Sequence, residues 1–187
     1  MKQTLFVTTL VLAANSASAG AVEDKMKTYV ETDVRAWFAD PSIVAAVQSA
    51  NLAHAALSAS DIAILDDQWK AEVGTDSALI KTVTDSATSA FLRDRIAAAG
   101  GKVTEIIVMD NVGLNVAISD VTSDYWQGDE DKFQKTFGMG AAGFHISEVE
   151  LDESTQTYQS QLSFTLTDPA TGAALGAVTV GVNAESF

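Results

Sequence analysis

At Gly100-Gly101 the hydrophobic period of this chain changes, and that switch limits the fold more than any other feature. Before it, apolar residues recur every three or four positions. After it, they alternate. Val22, Met26, Tyr29, Val30, Val34, Trp37 and Phe38 form one stripe on a helix of about 18 residues. Asp40-Pro41 reads as an N-cap followed by Pro at the first helical position, with Ile43, Val44, Val47 and Leu52 continuing the apolar face. Pro41 either bends one long rod or separates two helices. Ser58 to Asp61 resembles a capping box that opens a helix carrying Ile62, Leu65 and Trp69. Asp76 caps a further helix, with Leu79, Ile80, Val83, Phe91 and Ile96 inward, which ends at Gly100-Gly101.

Beyond Gly101 the pattern predicts five strands: 103–109, 114–119, 144–151, 157–167 and 174–182. Turn chemistry separates them at 110–113, 152–155 and 168–172. A short helix capped by Asp129 and a small-residue loop, 138–143, lie between the second and third strands. The expected fold is α+β, with a long N-terminal helix and a helical layer packed on a five-stranded antiparallel sheet. In the fourth strand Tyr158, Ser160, Leu162, Phe164 and Leu166 share one face. Gln159, Gln161, Ser163, Thr165 and Thr167 share the other, polar but uncharged. Helices on the first face would make a core, and loops over the second a polar pocket.

Lys2, the apolar run 5–14 and Ala17-Ser18-Ala19 follow the pattern of a cleaved secretory signal, too short to span a bilayer. Residues 1–19 are therefore expected to be removed near Ala19. This leaves one exported, periplasmic or secreted domain over 20–187, helical over 20–101 and β over 102–187. The chain has no Cys, so it folds without disulfides. It carries 11 Lys+Arg against 25 Asp+Glu, and loss of Lys2 leaves ten cations. So acidic a chain is a poor partner for nucleic acid and for anionic membranes.

Candidate chemistry is sparse. Neither G-x-S-x-G nor S-x-x-K in a plausible context is present, which argues against an enzyme. Asp124, Asp129, Glu130 and Asp131 form an acidic cluster near Trp126 that is suited to a cation, or simply to the start of a helix. Its spacing does not match an EF-hand, and two separate histidines, His54 and His145, do not make a zinc site. No metal and no cofactor is expected. Trp37, Trp69 and Phe91 fall on apolar helical faces and read as core. Tyr125 and Trp126 are adjacent on an extended segment, so they point to opposite sides and at most one faces a ligand.

Strand, Met109-Asp110-Asn111-Val112-Gly113 turn, strand, then Ser123-Asp124-Tyr125-Trp126 resembles the core of extracytoplasmic Cache (PDC, PAS-like) sensor domains. The closing hairpin over 163–178, with its Asp168-to-Gly172 turn, is similar to the final strand pair of that family. The resemblance covers about 22–187. It implies a PAS-like sheet and one pocket for a small molecule, binding rather than catalysis, with Tyr125, Trp126, Gln127, Asp129, His145, Tyr158 and Ser160 as candidate ligand-binding residues. Two departures bear on the ligand. The Arg that amino-acid-binding members carry before the aromatic pair is replaced by Ser123 and Asp124. Their Asp in the last strand is replaced by Gly181. A neutral polar or cationic ligand is therefore favoured. The resemblance also implies a stand-alone domain that relays ligand occupancy to a membrane receptor. The alternative is an interaction protein without a ligand, forming homodimers through its N-terminal helix.

Overall fold

The structure, a computed structural model, describes residues 12–152 and 157–187. The predicted signal segment therefore lies largely outside the described residues, and so does most of the 152–155 turn. The Ala17-Ser18-Ala19 backbone falls within the first helix, α1, Leu12–Tyr29. From there the chain does not continue as one regular rod. A π-helical stretch, Val30–Val34, and a 3₁₀ turn, Arg35–Ala39, follow α1. Pro41 then separates two helices rather than bending one. Asp40 leaves helical geometry, its carboxylate accepts from the Ser42 N–H, and α2 runs over Pro41–His54.

Helix α3, Ala59–Glu72, starts at the expected capping box, with Ser58 and Asp61 satisfying each other's backbone N–H groups. The helix expected from Asp76 to Gly100 is two. Ser77, not Asp76, caps α4 over Ala78–Thr84, and Ser86 caps α5 over Ala87–Ala98. Ser89 explains the break. Its buried hydroxyl donates to the Val83 carbonyl, 2.7 Å away, and accepts from the Ile118 N–H at 3.0 Å, tying the α4–α5 corner to the sheet.

The sheet is antiparallel and α+β in class, as expected, but it has six strands. They are β1, Val103–Met109; β2, Asn115–Ile118; β3, Phe144–Ile146; β4, Glu150–Asp152; β5, Thr157–Thr167; and β6, Ala174–Asn183. Their order is β2-β1-β6-β5-β3, with β4 also on β5. The predicted 144–151 strand is interrupted at residues 147–149, and β3 and β4 each take three positions along β5. A four-residue helix, α6, Asp131–Gln134, lies between β2 and β3.

The two faces of β5 divide as the alternation predicts. Leu162, Phe164 and Leu166 join Ile106, Val108, Val178 and Val180 in a core closed by Met26, Val30, Val34 and Phe38. The N-terminal apolar stripe is therefore buried on the chain's own sheet. A second core covers only the β1–β2 end of the other face. There Ile107, Met109 and Ala177 pack with Trp69, Tyr125 and Phe133. The rest of that face carries Glu105, Gln159, Gln161, Ser163 and Thr179, and is roofed by loops and the short α6.

Candidate functional site

Above this polar half-face lies a cavity of about 680 Å³. Its floor is Glu105, Ile107, Gln159 and Gln161, and its walls include Thr122, Gln127, Glu130, Lys132, Glu148 and Glu150. A second cavity, about 480 Å³, shares Glu130, Lys132, Ser147, Glu148, Glu150 and Gln161 with the first and extends the cleft to Lys135, His145 and Ser163. A volume of this order suits a small organic ligand.

The floor is shaped by a missing side chain. Gly181 sits between Glu105 of β1 and Gln161 of β5 in the strand register. The Gln161 Nε2 donates to Glu105 Oε2 at 3.3 Å across it. A Cβ at 181 would lie 2.6 Å from Thr104 Oγ1, so any larger residue would push into the neighbouring strand. The resemblance implies an Asp at this point of the last strand. Here a carboxylate stands one strand away, on Glu105. Deeper in the same face the fully buried Ser163 and Thr179 hydroxyls satisfy each other at 2.9 Å.

The wall is built from 122–127 and is held by α3, β2 and the β1–β2 turn; Trp69 Nε1 donates to Thr122 O and Asn115 Nδ2 to Asp124 O. Asp66 of α3 is buried, and its Oδ1 accepts from the Tyr125 and Trp126 N–H groups at 2.9 and 3.0 Å. Lys70, one turn on, bridges Asp66 and Asp124 at 2.7 and 2.8 Å. The shared ammonium holds the Asp124 carboxyl below the usual carboxylate range and, with both carboxylates beside it, Lys70 keeps its proton more tightly than a free lysine. From the other side the β1–β2 turn donates carbonyls. Val112 O accepts from Trp126 Nε1 and Gly113 O from the Gln127 N–H, both at 2.8 Å.

The seven candidate residues are not brought together. Gln127 is almost fully buried, lines the first cavity and accepts from Lys132 Nζ at 3.1 Å. His145 lines the second, where burial, and then Lys135, lower its pKa against an opposing effect of Asp131. Tyr125 lies in the second core, its ring stacked on Trp69 at 5.0 Å, and burial with the nearby Asp110 pushes its hydroxyl up to about 12. Trp126 packs over Gly128, with its indole N–H taken by Val112. Asp129 is exposed. Tyr158 and Ser160 share the helix-facing side of β5 with Leu162, opposite the cavities, and Ser160 Oγ donates to Ser147 O at 2.8 Å.

Several lining residues lie outside those seven: Glu105, Lys132, Glu148, Glu150 and Gln161. One signal was available in the sequence, because Glu105 is the sole charged residue of an otherwise apolar and Thr-containing strand. Lys132 carries the positive charge in the first cavity. It is 12% exposed at the side chain, and Glu130 lies 3.0 Å from its ammonium. Four carboxylates, those of Glu105, Glu130, Glu148 and Glu150, line the same space. Among the described residues no three His, Cys, Asp or Glu side chains cluster so as to hold a metal ion.

No protein-family model and no curated protein sequence matches this chain. Among solved structures it is similar to the sensor domain of the Vibrio cholerae histidine kinase DctB, with 11% identity, a TM-score of 0.46, 91% of this chain and 57% of that one covered. It is also similar to the Pseudomonas aeruginosa PAO1 amino-acid chemoreceptor PctC ligand-binding domain in complex with GABA, at 10% identity and a TM-score of 0.42, covering 93% and 62%. The Campylobacter jejuni chemoreceptor Tlp3 sensory domain with isoleucine bound gives 10%, 0.40, 90% and 63%. The chain thus spans less than two thirds of the length of each of these three.

Proposed function

We propose that this chain is an exported Cache-like sensory domain that binds a small neutral polar or cationic molecule in the cleft over β1, β6 and β5, and relays occupancy to a membrane partner. One observation carries the ligand class. The first cavity sets Glu105, Glu130, Glu148 and Glu150 against a single described cation, Lys132, which already faces Glu130 and Gln127. A carboxylate-lined cleft presents a negative potential to its occupant. An ammonium or a set of neutral donors suits that potential, and a dianion does not. Binding rather than catalysis fits the same residues: the lining Ser123 hydroxyl donates to Asp124, but Lys70 holds that carboxyl below the usual range and makes it a weak base. Export rests on the sequence pattern at 1–19. Among the described residues no helix is long and apolar enough to cross a membrane.

A thermal-shift panel of amines, neutral polyols, nucleobases and dicarboxylates tests the ligand class. A true ligand at a hundred times its Kd adds about 2.7 kcal/mol of stability. Stabilisation by an amine or a neutral polar compound is expected. Stabilisation by dicarboxylates alone would overturn the charge argument, and a flat panel would count against a ligand site. The N-terminal mass of the exported protein tests cleavage near Ala19.

A further inference from the structure

A contact between an imidazole and a buried carboxylate, outside the cleft, reaches it through an unbroken series of contacts. Asp110, the first residue of the β1–β2 turn, is fully buried. Its Oδ2 lies 2.5 Å from His54 Nδ1, in the last turn of α2. Its Oδ1 accepts from the Val112 and Leu114 N–H groups at 3.0 and 2.9 Å, so one carboxylate sets the shape of the whole turn. Asn51, one turn before His54, seats the same turn by accepting from the Asn111 N–H at 2.8 Å. The far side of the turn holds the cleft wall, through Val112 O on Trp126 Nε1 and Gly113 O on the Gln127 N–H. Gln127 Oε1 then receives Lys132.

We infer that His54 is a positioning residue for the cleft, acting through Asp110 and the β1–β2 turn on the placement of Trp126 and Gln127. This rests on reading the cleft as the ligand site. The physical reason lies in the burial of Asp110. Its carboxylate has two backbone donors on one oxygen and the imidazole on the other. A protonated His54 makes that last bond charge-assisted, whereas a neutral ring leaves a weaker one to an anion that water does not reach. The turn, tied to the same carboxylate, responds to the proton on His54.

Few other charges face the pair. The Tyr125 hydroxyl acts on Asp110 from the wall segment. Strands β2 and β6, which pack on α2, carry no charged residue. Arg35, before α2, pairs with Glu31. Asp168, in the β5–β6 turn, bonds Gln48 further up α2. Arg95 of α5 acts on Asp40 at the opposite end of that helix, and Arg93 of α5 donates to Thr84 O.

Nuclear magnetic resonance of the ligand-free protein reads the effect. Across a pH series the Trp126 indole N–H and the Gln127 side-chain amide should shift together, at the pH where the His54 ring signals themselves move. His145→Gln should keep that titration and His54→Gln should abolish it. Overturning results are a Trp126 signal that ignores pH, one that titrates unchanged in His54→Gln, or one that moves while Gln127 stays still. Should His54→Gln not fold, disagreement between the wild-type midpoints of His54 and Trp126 refutes the coupling equally. The readout needs no ligand, so a flat ligand panel beside an intact titration rejects the cleft as a ligand site and leaves the coupling standing.

Discussion

Gly113 and Gly128 meet backbone to backbone, so closely that a Cβ on Gly113 would lie 2.6 Å from the Gly128 Cα. Gly113 also has φ +90, a conformation that side chains resist. The contact presses the β1–β2 turn onto the segment that walls the cleft. Gly113→Ala should therefore cost about 2 kcal/mol, from backbone strain plus the clash. Denaturant unfolding gives the stability change, and the Trp126 indole resonance should move with it, since Val112 next door holds that N–H.

Asp66 should be worth more to the wall than Lys70. The carboxylate satisfies two backbone N–H groups, and Asp66→Ala leaves both without a partner in a largely buried setting. A loss of about 2–3 kcal/mol is expected. Lys70 is about half exposed, so Lys70→Met should have a much smaller effect. Paired chemical-denaturation curves of the two variants check the ranking.

Acid should weaken the fold in two steps. The lowered pKa of His145 means that the unfolded chain takes up a proton first, so stability falls as pH drops below about 6.5 toward the folded value. The contribution of Asp124 is fully present above the ordinary carboxylate range, near 4, and is lost as pH falls toward its own lower value. Unfolding midpoints at a series of pH values should show both. His145→Gln should remove the upper step, and Asp124→Asn should reduce the lower one, which Asp40, Asp61 and Asp131 share because their carboxyls are also held below the ordinary range.

Alkali acts on Tyr125, and also on Tyr29 and Lys70, whose pKa values are raised as well. The Tyr125 hydroxyl is pushed up to about 12, so the unfolded chain ionises first and stability should decline as pH rises above 10. Phenolate absorbance should show one tyrosine titrating near pH 12. Tyr125→Phe should remove that step while preserving the stack on Trp69.

Much of the frame was readable because local chemistry carries it. Asp40 and the Ser58–Asp61 box cap the expected helices, and the alternation in β5 separated Leu162 and Phe164 from Gln161 and Ser163. The misses have a common origin in tertiary contacts. The apolar spacing runs straight through Thr84 to Ala87, and the helix breaks there because Ser89 bonds across to β2. The 144–151 strand breaks where Ser147 instead bonds Gln161, through its N–H and its hydroxyl. Among the site residues, Tyr125 was legible as an aromatic but not as the partner of Trp69, 56 positions earlier. Glu105, Gln161 and Lys132 converge only through strand register and the fold of the 122–134 segment.

Within the cleft, Glu105 should matter most for a cationic ligand. Glu105→Gln keeps the shape of the floor and removes a charge. It should weaken an ammonium ligand by about 1.5–3 kcal/mol, tenfold or more, and a neutral one less. Titration calorimetry of a stabilising amine against both proteins measures the difference.

The most direct test is a crystal structure with the most stabilising compound of the panel. It should lie over Gly181, between Glu105, Gln161 and Lys132, with its cationic or donor groups toward the carboxylates. A compound bound elsewhere, or a cleft filled by the protein's own side chains, would contradict the reading of this fold as a small-molecule sensor.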